Sequence, residues 1–183
     1  MGSVLKRFYV FTIILLTLTF LVGTASMVSA KEKELRISYP EDPKTADCQK
    51  NTAYYMLPLN CFDRLIECVT LESGASQLVP GLAEKWEVSP NGKTYTFHLR
   101  HGVYFHNGEE LTADDVVYTF DRMLDPKTQA LNTDILNFVD GAQDRLDGKT
   151  NSTKGLKVLD KYTVQITLSQ PFAPFLAVMA SPQ

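Results

Sequence analysis

Residues 82–124 read LAEKWEVSPNGKTYTFHLRHGVYFHNGEELTADDVVYTFDRML, and the rest of the chain is organised around them. Trp86 and Val88 alternate with polar neighbours. Ser89-Pro90-Asn91-Gly92 then supplies a turn, in which proline pre-sets φ and glycine tolerates a positive one. From Thr94 to Leu99 the alternation resumes, with Tyr95, Phe97 and Leu99 on one face and Thr94, Thr96 and His98 on the other, the period of a half-buried strand. Gly102 to Phe105 is a candidate third strand, closed by Asn107-Gly108, a strong turn pair. Thr112 is placed to cap a helix, with Asp114 and Asp115 in its positive first turn. Val116, Val117, Phe120 and Leu124 give that helix an apolar stripe. On these grounds alone the stretch is a β-meander followed by a helix.

Taken in order, the same residues resemble the signature of the extracellular solute-binding proteins, family 5, the binding components of peptide, nickel and oligosaccharide ABC importers. The matching positions are Trp86, Ser89, Gly92, Tyr95, Phe97, Leu99, Arg100, Gly102, Val103, Phe105, Gly108, Leu111, Thr112, Ala113, Asp115 and Val116. Asn91 stands where the family more often has Asp, an exchange that a turn tolerates because both side chains make the same local bonds. The resemblance implies a mixed α+β / α/β chain. It would be the N-terminal part of a two-lobe periplasmic-binding-protein fold (class II, cluster C), carrying a small inserted sheet-plus-helix domain.

The first thirty residues read as a leader and not as part of the fold. Lys6 and Arg7 form a basic start, Phe8 to Val22 is uncharged and mostly apolar, and Val28-Ser29-Ala30 offers small residues for cleavage after Ala30. The alternative is an uncleaved anchor, since the 23 uncharged residues from Phe8 to Ala30 could just span a bilayer. No cysteine lies near the cleavage point, which speaks against a lipid-anchored route and for a free periplasmic protein. With Lys6 and Arg7 in the leader, residues 31–183 hold 21 acidic against 16 basic side chains, a formal charge of −5. That mild, unclustered acidity argues against nucleic acid as a partner.

Cys48, Cys61 and Cys68 are odd in number, so an oxidising compartment permits one disulfide with a thiol left over. Cys61 and Cys68 could equally be small apolar core residues. Their spacings match no common zinc site.

Upstream of the meander, Glu34 to Tyr39 alternates as a short strand, and Pro40, Pro43 and the polar run to Asn51 form a loop. The resemblance places this loop beside the ligand cleft. It implies Tyr39, Pro40, Glu41, Asp42 and Asn60 as ligand-binding residues, although Glu41-Asp42-Pro43 is only the nearest approach to the family's Leu-Asp-Pro phrase. Thr52 to Ile66 has helical spacing at Tyr55, Leu59, Phe62 and Ile66, with Pro58 expected to kink it or delay its start. Glu67 to Leu71 follows as a strand, then a loop marked by Gly74 and Ser76. Val79-Pro80-Gly81-Leu82-Ala83 matches the family's lead-in to the meander.

Downstream, Asp125-Pro126 stops the capped helix, and Ala130 to Phe138 is a weak helical stretch. Residues 148–155 (GKTNSTKG) are a polar loop whose Asn151-Ser152-Thr153 is formally a glycosylation sequon, read here as solvated loop. Leu156–Leu159 and Tyr162–Leu168 form a hairpin with Val164, Ile166 and Leu168 on one face. Pro171 opens a final helix lined by Phe172, Phe175, Leu176 and Met179. Members of the resembled family are several hundred residues long. The chain is therefore expected to hold about their N-terminal third, with residues 31–183 as a truncated family domain that exposes apolar faces.

No catalytic site is expected. Asp114-Asp115 and Glu109-Glu110 are neighbours in sequence, where acid–base catalysis needs carboxylates opposed across a pocket. His98 and His101 are three apart on a strand and so point to opposite faces, which disfavours a metal site. No phosphate-cradling glycine loop or serine nucleophile elbow occurs, and neither a metal nor a cofactor is expected. Trp86, Tyr95, Phe97, Tyr104 and Phe105 could stack on a ligand, but their alternation favours packing.

The resemblance implies a monomeric binding component that captures peptides, or a related small solute, and delivers them to the membrane subunits of an ABC permease. The rival readings are a secreted carbohydrate- or wall-binding module and a truncated product that binds nothing.

Overall fold

The computed structural model describes residues 45–51 and 56–180, all within one compact unit running from Asp42. The meander is the centre of an antiparallel four-stranded sheet made of β3 (Ala83–Val88), β4 (Thr94–Leu99), β5 (Leu156–Asp160) and β6 (Thr163–Thr167), in the order β3-β4-β6-β5. A separate two-stranded sheet joins β1 (Ile66–Thr70) to β2 (Ser76–Pro80). The helices are α1 (Met56–Cys61), α2 (Ala113–Leu124), α3 (Ala142–Leu146) and α4 (Phe175–Met179).

Strand register turns the sequence alternation into a core. Trp86, Phe97, Val164 and Val158 stand side by side across the four strands, and Val88, Tyr95, Ile166 and Leu156 form the next row on the same face. The intervening row, Glu87, Thr96, Gln165 and Lys157, is polar and faces the other way. Because side chains alternate with period two, one slip in register would exchange these faces. Phe97, Val164 and Ile166 are fully buried. Each such side chain is worth roughly 1.5–3 kcal/mol of removal from water.

Helix α2 packs on β5 and β6 and buries Val116, Met123 and Leu124 against this face, with Val117 and Phe120 at its margin. Its start is a capping box. The Thr112 N–H and hydroxyl both donate to Asp115 Oδ2 at 2.8 Å, so the cap and third residue of the helix satisfy one another.

Several expectations need correction. Residues 102–105 form no strand. Gly102 takes a left-handed φ of 68° and the chain folds back on itself, leaving a single bridge between Tyr104 and Glu110 around the Asn107-Gly108 turn. Tyr104 and Phe105 are therefore exposed, whereas Tyr95 and Phe97 are core and Trp86 packs at its edge. The described part of the Thr52–Ile66 helix ends at Cys61, and Ile66 already belongs to β1, where pairing with Pro80 replaces helical bonds. Ser76 lies in β2, not in a loop.

Between Ala130 and Phe138 only a short 3₁₀ turn forms, Thr133–Leu136, after Gln129 has reversed the chain at φ 54°. The helix α3 that follows was not anticipated. Pro171 does not open α4, which begins at Phe175 with Pro174 at its cap, a position that needs no N–H. Cys61 and Cys68 are exposed, so neither is a core residue, and all three cysteines are free thiols. The Glu34–Tyr39 strand, both readings of the N-terminal leader, and Tyr39, Pro40, Glu41 and Asp42 lie outside the described residues.

Candidate functional site

Of the expected ligand residues, only Asn60 is described, and it is exposed near the end of α1. The segment that follows Tyr39–Asp42 in the chain is held in an unexpected way. Asp47 caps a 3₁₀ turn, Cys48–Lys50, by accepting the Gln49 N–H at 3.1 Å. The same carboxylate faces Arg122 on α2, which donates to Asp47 Oδ2 at 2.6 Å and to Oδ1 at 3.3 Å. Two parallel N–H donors meeting two oxygens is the geometry in which arginine outperforms lysine.

Gln49 completes the clamp, with only 3% of its surface exposed. Its amide nitrogen donates to the Thr119 carbonyl at 2.8 Å, its amide oxygen accepts from Arg122, and its own carbonyl accepts the Leu131 N–H at 2.9 Å. Asn132 adds a bond from its side-chain nitrogen to the Asn51 carbonyl at 3.3 Å. A buried amide with each of these groups satisfied is pinned, because freeing it would strand a polar group. The Arg122 guanidinium holds the Asp47 carboxyl below the usual carboxylate range, and the pairing in turn raises Arg122. Burial pushes the Cys48 thiol up, which keeps it protonated and unreactive.

Two further polar clusters brace the same body. Arg145 on α3 is 8% exposed. It donates to Asp121 Oδ2 at 3.1 Å, to Asp125 Oδ2 at 2.8 Å and to the Thr150 carbonyl at 3.3 Å. Asp121 Oδ1 also accepts the Thr153 N–H and hydroxyl, each at 2.7 Å. The 148–155 loop is thus fastened at Thr153, which is buried, and is not uniformly solvated.

On the other side of the sheet, Glu110 accepts from Lys161 at 2.7 Å and from the Tyr162 hydroxyl at 2.8 Å, while His101 stacks on the Tyr162 ring at 3.9 Å. Lys161, Tyr162 and the Gly102 N–H together hold the Glu110 carboxyl down to about 2.

Each of these carboxylates faces a fixed cation or hydroxyl, which is the arrangement of a brace. Among the described residues no three His, Cys, Asp or Glu side chains converge on a metal-sized site, and no helix is long and apolar enough to cross a membrane. The clamp and the Arg145 cluster were not legible in the sequence. Their partners are 20 to 75 residues apart, and no local spacing connects them.

Residues 77–183 match the family model described as bacterial extracellular solute-binding proteins, family 5 Middle. A di/tripeptide-binding protein of Pseudomonas aeruginosa is 41% identical over 130 residues, covering 66% of this chain and 22% of that protein. A probable deoxycholate-binding periplasmic protein of Escherichia coli is 35% identical over 159 residues, covering 84% of this chain and 29% of its own length. Among solved structures, Haemophilus influenzae OppA in complex with RPPGFSPFR superposes with a TM-score of 0.70 at 30% identity, over 76% of this chain and 28% of that one. The chain spans between about a fifth and a third of the length of such relatives.

Proposed function

Since this chain belongs to the bacterial extracellular solute-binding proteins, family 5, we propose that it is part of the binding component of an ABC importer that captures short peptides. The observation that carries this reading is the 41% identity to a di/tripeptide-binding protein. In this reading residues 1–30 are a signal peptide cleaved after Ala30. Residues 31–183 then open a family domain that works outside the cytoplasmic membrane as a monomer and hands its solute to permease subunits.

The mechanism is population shift. A two-lobe protein closes when its ligand binds the closed state more tightly than the open one, and only that difference drives closure. Tyr39, Pro40, Glu41, Asp42 and Asn60 are assigned to the ligand. Binding along peptide backbone, as an added strand does, would give broad side-chain tolerance. The chemistry is capture and release, with no covalent step.

A second reading has one specific support, the deoxycholate-binding relative, and replaces the peptide with an amphipathic carboxylate. Titration calorimetry on the complete gene product decides between them, with alanyl-alanine, trialanine and deoxycholate as probes. Saturable one-to-one binding of either peptide, at a dissociation constant of about 100 μM or tighter, supports the proposal. Binding of deoxycholate alone would replace it, and binding of none of the three would refute it.

A further inference from the structure

The Asp47–Gln49–Arg122 clamp joins segments 75 residues apart, yet the hydrophobic core is built without any residue of 45–51. The segment adds no strand to either sheet. Even so it carries the well-buried Gln49, bonded to the Thr119 carbonyl, the Arg122 guanidinium and the Leu131 N–H. So much bonding on a stretch outside the core fixes its position on α2 and adds little to the body beneath it.

We propose, on the peptide-binding reading above, that Arg122 is a positioning residue for ligand capture. By clamping Asp47 and Gln49 onto α2, it fixes the point from which the chain runs back to Asp42. Five residues reach at most about 18 Å even when fully extended, so pinning Asp47 confines the start of that run. Confinement before the ligand arrives removes part of the ordering cost of binding. Arginine suits the task because its planar fork reaches both Asp47 oxygens and the Gln49 amide oxygen at once, whereas a lysine ammonium is a single point charge.

The test uses the complete gene product and four variants: Arg122→Ala, Arg122→Lys, the exchange Asp47→Arg with Arg122→Asp, and Val164→Ala as a control. Val164 is fully buried in the sheet and has no part in the clamp, so its truncation lowers Tm without touching 45–51. Two quantities are read: hydrogen exchange of the 45–51 amides without ligand, and the dissociation constants for alanyl-alanine and trialanine.

Arg122→Ala is expected to speed exchange in 45–51. It should also weaken peptide binding roughly tenfold, the result if the competent placement falls to about a tenth of the population. Arg122→Lys should fall between wild type and Arg122→Ala, the exchange should recover part of the loss, and Val164→Ala should bind as wild type does. Affinity within about twofold of wild type in Arg122→Ala, despite faster exchange, would overturn the inference and leave the function standing. So would unchanged exchange in 45–51, or equal weakening by Val164→Ala. A wild-type protein that binds neither peptide would overturn the function, and the inference with it.

Discussion

Gly155 sits where three backbone segments close a ring. Its N–H donates to the Asp140 carbonyl at 2.7 Å, the Asp140 N–H donates to Thr167 at 2.9 Å, and the Thr167 N–H donates back to Gly155 at 2.8 Å. Its φ is not left-handed, so alanine could adopt the backbone, and any cost of Gly155→Ala is steric. A Cβ there would lie well inside contact distance of the Thr167 carbonyl and 2.9 Å from both the nitrogen and the oxygen of Asp140. All three obstacles are backbone, which no rotamer change can move.

Relief requires opening the ring by several tenths of an ångström. That weakens two buried hydrogen bonds, each costing about 1–2 kcal/mol once a partner is stranded, and adds about 1–2 kcal/mol of overpacking. The sum is about 4 kcal/mol, which at a urea slope of about 2 kcal/mol/M moves the unfolding midpoint down by about 2 M. Trp86, the single tryptophan, stands on β3 in the row with Phe97 and reports sheet unfolding by its fluorescence. Gly108→Ala is the contrast, because its φ is 87° but nothing lies within 4 Å of the added methyl. It should cost only about 1 kcal/mol of left-handed strain. If Gly155→Ala cost no more than Gly108→Ala, the three-way backbone ring would not be the constraint described.

Three further outcomes are expected. Arg145→Met should lower stability by about 3 kcal/mol, read as a urea midpoint, because the Asp121 carboxylate loses its cation in a poorly solvated site. Glu110→Gln tests the clip to Lys161 and Tyr162 by the pH dependence of Tm. The folded carboxyl is depressed to about 2, so its contribution is complete above the ordinary glutamate range and disappears as pH falls toward 2. The Tm gap between wild type and variant should therefore be constant at neutral pH and close on acidification, and a gap that widens in acid would contradict the assignment. Thr112→Ala removes a hydroxyl from the α2 capping box and should cost about 1 kcal/mol in the same urea assay.

The alternation at Tyr95, Phe97 and Leu99 and at Val164, Ile166 and Leu168 was enough to define two strands and their buried face, because a period of two is a local property of extended chain. Thr112 and Asp115 likewise announced the start of α2, since a capping box is complete within four residues. The family signature is local too, lying within 82–124. What local chemistry left open was decided in three dimensions. β4 takes as its second neighbour β6, some seventy residues further on, and not residues 102–105, because only a regular run of N–H and C=O groups can continue the ladder while Gly102 turns the nearer segment away. The Asp47–Gln49–Arg122 clamp and the Arg145 cluster had no signature at all. A charged side chain carries no sequence mark of its partner, and the fold alone determines which carboxylate it meets once the apolar faces have closed.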